Sequence, residues 1–333
     1  MPRCFAPPSK AISGRHYSFN RVLIEFMIRT GGKRLVKNTR CITAALLAVI
    51  IILSFASCRM QESVPQNVPV DYSGKTVSFL GPVGTYTQEA CEKFFGMDAE
   101  LIPYETVPAA VDALTAGESD YAVIPIENTI GGAVTDNIDT LIANEGVVVV
   151  GEVELPINQN LLVIPGTELS DIKTVYSHKQ GIAQGRDWLS ANLPDAEIIE
   201  VSSTAEGARM VSESGDKSCA AIASAGCADV YGLELFAEAI QNNDKNVTRF
   251  YVLSLGEPGR DLSQRTAFIV TGSAEDLRGL IVSLSKSDVS LISVHERPEK
   301  TELGKYHYLI ECTGIKYDEL STGFRFLGNF DVF

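Results

Sequence analysis

The chain has 333 residues, which is enough for two or three domains with hydrophobic cores, and its composition is that of an ordinary globular protein. The first 60 residues carry ten Lys and Arg against one Glu, a formal charge of +9, so the rest of the chain carries −23 of the total of −14. So acidic a body argues against nucleic acid as a partner, and an anionic ligand must be bound by a local group of residues.

Cysteine and histidine residues show no spacing typical of a metal site, and we predict that the chain binds no metal. The seven cysteines include no CxxC pair. Their small or apolar neighbours predict buried free thiols at Cys91, Cys219, Cys227 and Cys312, with a disulfide between Cys219 and Cys227 as the alternative.

The N-terminal segment has the pattern of a bacterial export signal. Residues 42–57 form an apolar run behind a cluster of Lys and Arg, which is typical of a signal-peptide core and short for a membrane-spanning helix. The run ends in Phe55-Ala56-Ser57-Cys58, which resembles the lipobox of bacterial lipoproteins apart from Phe55. We therefore predict a basic leader over residues 1–58, lipidation at Cys58 and a membrane-anchored protein.

Other interpretations of this segment stay open. They are a short transmembrane anchor, a buried helix, and a cytoplasmic protein whose leader is not used. Residues 59–74 are polar and contain prolines, as expected of a linker. Ordered structure is predicted to begin at Lys75.

From Lys75 onwards, apolar strand patterns alternate with helix patterns, which predicts an α/β fold. Several strands end in polar or glycine-containing clusters that open helices, and these clusters are Gly81–Thr87, Glu127–Thr129, Ser177–Gln180 and Ser202–Thr204. Ligands of α/β sheets bind at the carboxyl ends of strands, and helix N-terminal amides favour anions. We therefore predict a cleft between two α/β lobes that binds a small polar molecule, as in an enzyme acting on a carboxylate or a periplasmic-type solute receptor.

The stretch Asn246–Phe250 places a hydroxyl and a guanidinium side by side at the start of a buried strand pattern. The guanidinium of Arg249 can bind a carboxylate through two parallel hydrogen bonds, and the hydroxyl of Thr248 can donate or accept a proton without carrying charge. With Glu127 and His178 at other strand ends, these groups indicate a site for a small anion that loses or gains a proton.

Seven segments, in the same order and at the same spacing, resemble the prephenate dehydratase family. They are GPVGTYT (81–87), IPIENTIGGAV (124–134), SHKQGIAQGRDWL (177–189), SSTAEGARMV (202–211), AAIAS (220–224), YGLELFAEAIQ (231–241) and NVTRF (246–250). The resemblance covers residues 75–255 and implies a two-lobed catalytic domain with a periplasmic-binding-protein-like fold. It also implies conversion of prephenate to phenylpyruvate, water and carbon dioxide without a cofactor, as a step of L-phenylalanine biosynthesis.

The resemblance implies roles for individual residues. Thr248 would assist the departure of hydroxide, and Arg249 would bind a carboxylate. The catalytic set would also include Glu127 and Asn128. The substrate-binding residues would be Thr85, Thr129, Ser177, His178, Gln184, Ser203, Thr204 and Phe250. Two positions depart from the family pattern, since Lys179 stands where proline is usual and Thr129 where serine is usual.

Residues 265–333 resemble the regulatory ACT domain found on many prephenate dehydratases, a small α+β ferredoxin-like module. The resemblance implies L-phenylalanine as an allosteric effector bound between paired chains, and hence a homodimer or a larger homo-oligomer. The implied regulatory residues are Gly279, Leu280, Glu296 and Arg297. The segment after Cys312 is short for the second helix of the module, so we predict a shortened domain, with a structural dimerisation role as the alternative.

The leader and the fold together leave a second function open. A membrane-tethered lipoprotein of the same fold would bind a small carboxylate without turnover. The set Glu127, Thr248 and Arg249 favours the enzyme, whereas the leader favours the receptor, because prephenate is made inside cells. The ordered motifs disfavour a regulatory protein without a ligand cleft, and arogenate stays open as a competing substrate.

Overall fold

The computed structural model describes residues 71–259, 264–287, 289–315 and 324–333. The predicted leader with Cys58, and all but the last residues of the predicted linker, lie outside the described residues. Within the described ranges, no helix has both the length and the apolar character needed to cross a membrane. The described residues include most of the predicted two lobes and of the predicted C-terminal module.

Strands and helices alternate along residues 71–259, as the sequence pattern predicts. In chain order they are β1 (Thr76–Leu80), α1 (Tyr86–Phe95), β2 (Glu100–Tyr104), α2 (Val107–Ala116), β3 (Tyr121–Asn128), β4 (Gly132–Ala133), α3 (Thr135–Ala143), β5 (Val147–Pro156), β6 (Asn160–Val163), β7 (Thr174–Ser177), α4 (Lys179–Gln184), α5 (Arg186–Asn192), β8 (Glu197–Glu200), α6 (Thr204–Ser214), β9 (Cys219–Ala223), α7 (Gly226–Tyr231), β10 (Glu234–Ala237) and β11 (Val247–Leu255). A short 3₁₀ turn at Leu169–Asp171 precedes β7.

These elements form two lobes, each built on one sheet, which confirms the predicted two-lobed, periplasmic-binding-protein-like α/β fold. The first sheet has the order β2-β1-β3-β11-β5, with β4 paired to β3, and the second has the order β10-β6-β9-β7-β8. Helices α1, α2 and α3 pack on the first sheet, and α6 packs on β7 and β9 of the second. Buried residues of β3 and β11, among them Val123, Ile124, Phe250 and Tyr251, fill both faces of the first sheet.

The chain passes between the lobes at two crossovers, residues 157–159 and 238–246. The crossovers lie side by side and are joined by a hydrogen bond from the Ile157 N–H to the Asn246 carbonyl at 2.8 Å. A small number of residues therefore connects the two sheets, and such a connection allows the lobes to rotate as a hinge.

The loop before α1 makes a second contact between the lobes. Ser224 Oγ and Cys227 Sγ of the second lobe both donate to the Gly84 carbonyl, at 2.7 and 3.1 Å. The Tyr231 hydroxyl donates to the Val83 carbonyl at 2.8 Å. Gly84 has a φ of +88°, and a Cβ there would lie 2.9 Å from Cys227 Sγ. Glycine is therefore required here both by the backbone and by the contact between the lobes.

The C-terminal module consists of β12 (Arg265–Gly272), α8 (Ala274–Leu284), β13 (Ser290–Pro298), β14 (Tyr306–Thr313) and β15 (Phe324–Phe330). Its four strands form an antiparallel sheet in the order β13-β14-β12-β15. This order is that of the predicted α+β ferredoxin-like module. The segment predicted to be short for a second helix includes residues 316–323, which lie outside the described residues.

The module shares a hydrophobic core with the first lobe. Ile269 and Leu309 of the module belong to the same buried cluster as Ile138 of α3. The rings of Tyr251 on β11 and Phe330 on β15 lie 5.6 Å apart in an edge-to-face arrangement. Side chains on the outer face of the first sheet are therefore covered by the module and not by solvent.

Two details differ from the sequence prediction. Neither β2 nor β10 is predicted from the sequence; both are edge strands, and β2 also contains Pro103, a residue that is uncommon within strands. Cys219 is half-buried, and the alternative disulfide is not formed, since Cys219 and Cys227 are both free thiols.

Candidate active site

A cleft with a volume of about 320 Å³ lies between the two lobes. Its walls are the ends of strands and the starts of helices from both lobes. Of the predicted site residues, those that line it are Thr85, Asn128, His178, Gln184, Ser203, Thr204, Thr248 and Phe250. The fold thus brings together side chains from distant segments of the chain.

Three helices begin at the cleft, and their N-cap residues belong to its lining. The caps are Thr85 for α1, His178 for α4 and Ser203 for α6, and each side chain accepts a hydrogen bond from a backbone N–H two or three residues on. The N-terminus of a helix carries free N–H groups and a partial positive charge. An anion in the cleft is therefore met by the dipoles of α1 and α6, the two longer helices.

Full positive charges are scarce at the cleft. Among the described residues that line it there is no lysine or arginine. The ionisable side chains of the lining are His178 and Tyr86, and its other polar groups are hydroxyls and amides. Binding of an anion here therefore depends on uncharged donors held in fixed positions, which interact strongly where water is excluded.

A hydrogen-bonded group on two adjacent strands forms one wall of the cleft. Asn128 Nδ2 donates to Thr248 Oγ1 at 2.8 Å and to Asn246 Oδ1 at 2.7 Å. Asn128 Oδ1 accepts from the backbone N–H groups of Ile130 and Gly131, both at 2.9 Å, which fixes the orientation of this amide. Because Thr248 Oγ1 accepts a hydrogen bond from Asn128, its own proton is free to be donated into the cleft.

Arg249 and Glu127 lie on the opposite face of the same sheet and are not part of the cleft lining. Side chains alternate along a strand, so that Thr248 faces the cleft and Arg249 faces away from it. There Arg249 pairs with Glu127 at 2.6 Å and with Glu152 at 2.8 and 2.9 Å. It also pairs with Glu311 of the C-terminal module. This placement differs from the expectation that Arg249 binds a substrate carboxylate and that Glu127 acts beside Asn128.

The ion cluster around Arg249 is deeply buried, with Glu152 0% and Glu311 1% exposed. Burial opposes the charge of Glu311, but hydrogen bonds from Arg249 and Ser293 hold the pKa of that carboxyl below its usual value. Burial raises the pKa of Glu152, and Arg249 only partly opposes this effect. The cluster joins the first lobe to the module through charges that water does not screen.

Thr129 and Ser177 lie beside the cleft and are not among its lining residues. Thr129 Oγ1 donates to the Lys245 carbonyl at 3.0 Å and accepts from the Val247 N–H at 2.9 Å, which secures the start of β11. Ser177 is buried and donates to the Ile222 carbonyl at 2.7 Å, between β7 and β9. Both hydroxyls thus help to hold the strands that carry the site.

The sequence patterns assign no role to Gln159 or to Asn246, yet both line the cleft. They are 3% and 1% exposed, respectively. Gln159 Nε2 donates to Gln184 Oε1 at 2.9 Å. Both residues lie in the crossovers between the lobes, so their position follows from the topology and has no signal in local periodicity.

The residues implied to be regulatory lie in the C-terminal module and away from the cleft lining, Gly279 and Leu280 on α8 and Glu296 and Arg297 on β13. Leu280 packs against the core of the module, whereas Gly279 and Glu296 are exposed. Arg297 donates two hydrogen bonds to Asp139 of α3, at 2.6 and 2.8 Å. Of these residues, Arg297 therefore contacts the first lobe directly.

Comparison with known proteins agrees with this arrangement. The family model described as prephenate dehydratase matches residues 77–258. A bifunctional chorismate mutase/prephenate dehydratase of Neisseria gonorrhoeae is 38% identical over 256 residues, which cover 76% of this chain and 70% of that protein. A prephenate dehydratase of Bacillus subtilis is 34% identical over 260 residues, which cover 74% of this chain and 91% of that protein. The crystal structure of a prephenate dehydratase from Arthrobacter aurescens in complex with L-Phe is 32% identical with a TM-score of 0.69, and the match covers 77% of this chain and 90% of that chain. The chain therefore belongs to the prephenate dehydratase family.

Proposed function

We propose that this chain catalyses the decarboxylating dehydration of prephenate to phenylpyruvate. The observation that carries the proposal is the Thr248 hydroxyl, which accepts from Asn128 Nδ2 at 2.8 Å and so directs its own proton to the cleft. The membership in the prephenate dehydratase family supports the same reaction. A cleft of about 320 Å³ is of the size that binds small molecules.

The reaction needs little from the protein. The bond between the ring and its carboxylate breaks, carbon dioxide leaves, and the electron pair of that bond enters the ring. The ring then expels hydroxide from the opposite carbon and becomes aromatic, and the hydroxide takes up a proton to give water. The protein must hold the substrate carboxylates in place and stabilise the departing hydroxide.

The cleft offers groups for both tasks. The N-termini of α1 and α6 supply N–H groups and partial positive charge for the carboxylates. Thr248 donates to the leaving oxygen, and Asn128 stabilises the negative charge that develops on Thr248 Oγ1. Phe250 lies on the same face of β11 and offers an apolar surface to the substrate ring.

Replacement of the hydroxyl tests this function directly. Purified full-length chain should form phenylpyruvate from prephenate, and Thr248→Ala should lower kcat about 100-fold, because one positioned donor to the leaving group is lost. Phenylpyruvate is measured by its enol absorbance. Arogenate is tested in parallel as the competing substrate. Thr115→Ala, at an exposed position of α2, is the matched control and should keep wild-type kcat. A wild-type chain that binds prephenate without turnover would instead identify a receptor.

We also propose that the chain is attached to a membrane by lipidation at Cys58. The basis is the apolar run of residues 42–57, which ends in Cys58 and follows a basic segment. Cys58→Ser should move the protein from the membrane fraction to the soluble fraction of expressing cells. Continued membrane association of this variant would favour a spanning anchor, and a soluble wild-type chain would contradict attachment altogether.

L-phenylalanine is the proposed effector, bound to the C-terminal module of a homodimer. The relative from Arthrobacter aurescens was solved in complex with L-Phe. In this chain Val282, Leu291 and Ile292 of the module are exposed, and pairing with a second copy would cover them. Light scattering and calorimetric titration test this, and a monomer without affinity for L-phenylalanine would refute it.

A further inference from the structure

Two polar atoms of the cleft lining are buried and have no hydrogen-bond partner among the described residues. They are Nδ2 of Asn246 and Oε1 of Gln159. Buried polar atoms in folded proteins are nearly always paired, because shielding them from water without a partner is unfavourable. An unpaired atom in a ligand cleft therefore indicates a contact that the ligand completes.

The orientation of Asn246 is fixed by its neighbours. Its Oδ1 accepts from Asn128 Nδ2 at 2.7 Å, and its backbone carbonyl accepts from the Ile157 N–H at 2.8 Å. The Asn128 amide cannot be reversed, since its Oδ1 accepts from the N–H groups of Ile130 and Gly131. Asn246 must therefore present Oδ1 to Asn128, and its unpaired atom is a donor.

This donor lies next to the hydroxyl that the proposed reaction uses. Asn246 directly precedes β11, two positions before Thr248, and both residues line the cleft. Asn246 Oδ1 and Thr248 Oγ1 also share one partner, Asn128 Nδ2, at 2.7 and 2.8 Å. The O–H of Thr248 and the N–H of Asn246 are therefore held at the same part of the cleft.

We propose that Asn246 Nδ2 is a second hydrogen-bond donor to the oxygen that leaves prephenate as hydroxide, beside Thr248 Oγ1. The proposal rests on the proposed dehydratase function. As the carbon–oxygen bond breaks, its electron pair stays on the oxygen, and the two donors stabilise the charge. The hydroxide takes the proton of Thr248, which solvent restores, while Asn246 keeps its own.

The place of Asn246 in a crossover gives the substrate access to this donor. Nδ2 is shielded from solvent in this structure. Ile157 and Asn246 join the two crossovers by a hydrogen bond and both line the cleft, so rotation of the lobes about the crossovers is the motion that would expose Nδ2 to the substrate. Closure around bound prephenate then excludes water from the contact, as an effective charge-stabilising site requires.

Asn246→Asp removes the N–H donor but keeps the size of the side chain and its oxygen acceptor. The carboxylate still accepts from Asn128 but offers no N–H to the leaving oxygen. In the full-length chain we expect kcat to fall about 100-fold at pH 7.5. KM should also rise, because the added carboxylate repels the anionic substrate, whereas Asn246→Ala adds no charge and should keep KM within about threefold of wild type. Because the neutral carboxylic acid can donate its O–H, kcat of Asn246→Asp should recover as the pH is lowered through the pKa of the introduced group, while wild type shows no such rise.

Asn243→Asp is the matched control, since it makes the same chemical change three residues earlier on the exposed surface of the same crossover. Asn243 Oδ1 accepts from the Lys245 N–H at 2.9 Å, a contact that a carboxylate keeps. This control should retain kcat within about twofold. Thermal unfolding shows whether each variant folds, and Asn246→Ala, which removes the donor without adding charge, should also lose kcat.

The outcomes separate this proposal from the proposed function. An active wild type together with an Asn246→Asp variant that keeps kcat within threefold at pH 7.5 would overturn the role of Asn246. Equal losses in Asn246→Asp and Asn243→Asp would also overturn it, because they would point to the added charge. Absence of turnover by the wild type would refute the dehydratase function itself.

Discussion

Thr248 and Arg249 are adjacent in sequence but serve different parts of the molecule. Thr248 is hydrogen-bonded to Asn128 in the cleft, and Arg249 is bound to three glutamates on the other face of the sheet. The register explains the division, since Thr248 lies opposite Asn128 and Arg249 opposite Glu127 in the pairing of β11 with β3. β11 therefore contributes Thr248 to the site and Arg249 to the ion cluster, and β3 contributes Asn128 and Glu127 in the same way.

Arg249→Met tests which role Arg249 has. The substitution leaves Glu152 and Glu311 buried without their main cation, so we expect the free energy of unfolding to fall by about 3–5 kcal/mol. The KM for prephenate, measured on the folded protein at low temperature, should stay within about threefold. Urea unfolding and steady-state kinetics provide the two measurements.

A control for Arg249→Met is Arg209→Met, which removes an ion-paired arginine from the exposed side of α6. Exposed pairs contribute little, so this variant should lose less than about 1 kcal/mol. If Arg249→Met instead raised KM a hundredfold with unchanged stability, Arg249 would be a substrate ligand after all.

At the scale of elements, the site depends on how closely helices approach their sheets. Helix α6 lies against β7, and a Cβ on Gly207 would come within 3.0 Å of the Tyr176 carbonyl. Glycine at this position lets the helix pack tightly, so that its N-terminus and the Ser203 cap reach the cleft. The helix dipole can then act on a bound anion, because its effect falls off within about one turn.

The two crossovers form another functional element. They supply Gln159 and Asn246 to the cleft, and they carry backbone hydrogen bonds between the chain segments that join the lobes. A ligand that contacts either side chain also contacts the hinge. Any closure of the lobes around a ligand would therefore act through these short segments.

On the scale of the whole molecule, the C-terminal module is fixed to the first lobe by a shared core and by buried ion pairs. Glu311 on β14 binds Arg249, which is the residue next to Thr248. A shift of the module would therefore move Arg249, which is one residue away from the cleft residue Thr248. Arg265 of β12 pairs with Glu152 and Glu154 across the same boundary, and Arg297 of β13 pairs with Asp139 of α3.

The pH dependence of stability tests the Asp139–Arg297 pair. Hydrogen bonds from Arg297 hold the pKa of Asp139 below its usual value, against the effect of burial. A carboxyl with a lowered folded pKa stabilises the fold above its unfolded pKa of about 3.9, and this contribution is lost as the pH falls through the lower folded value. Asp139→Asn should therefore lower the free energy of unfolding by about 1 kcal/mol at pH 7, with little difference from wild type near pH 3.

Urea unfolding at both pH values measures this difference. Asp112→Asn, an exposed position on α2, is the control and should match wild type throughout. A deficit of Asp139→Asn that is equally large at pH 3 and pH 7 would show that the ion pair is not its source.

The sequence by itself determined the alternation of strands and helices, the two lobes, and eight of the residues that line the cleft. These features follow from local causes, namely apolar periodicity, side-chain caps such as Thr85 and Ser203, and the ordered set of family motifs. The edge strands β2 and β10 were not predicted, because each pairs with only one neighbouring strand through long-range hydrogen bonds, and β2 contains Pro103, which disfavours a strand.

Only the tertiary structure decided which face of the sheet each side chain occupies. Arg249 and Glu127 face away from the cleft because their neighbours Thr248 and Asn128 face it, and the C-terminal module supplies Glu311 on that other face. Asn246 and Gln159 enter the cleft because both crossovers pass beside it. Strand register and the packing of a distant module are long-range properties, so no local pattern could specify them.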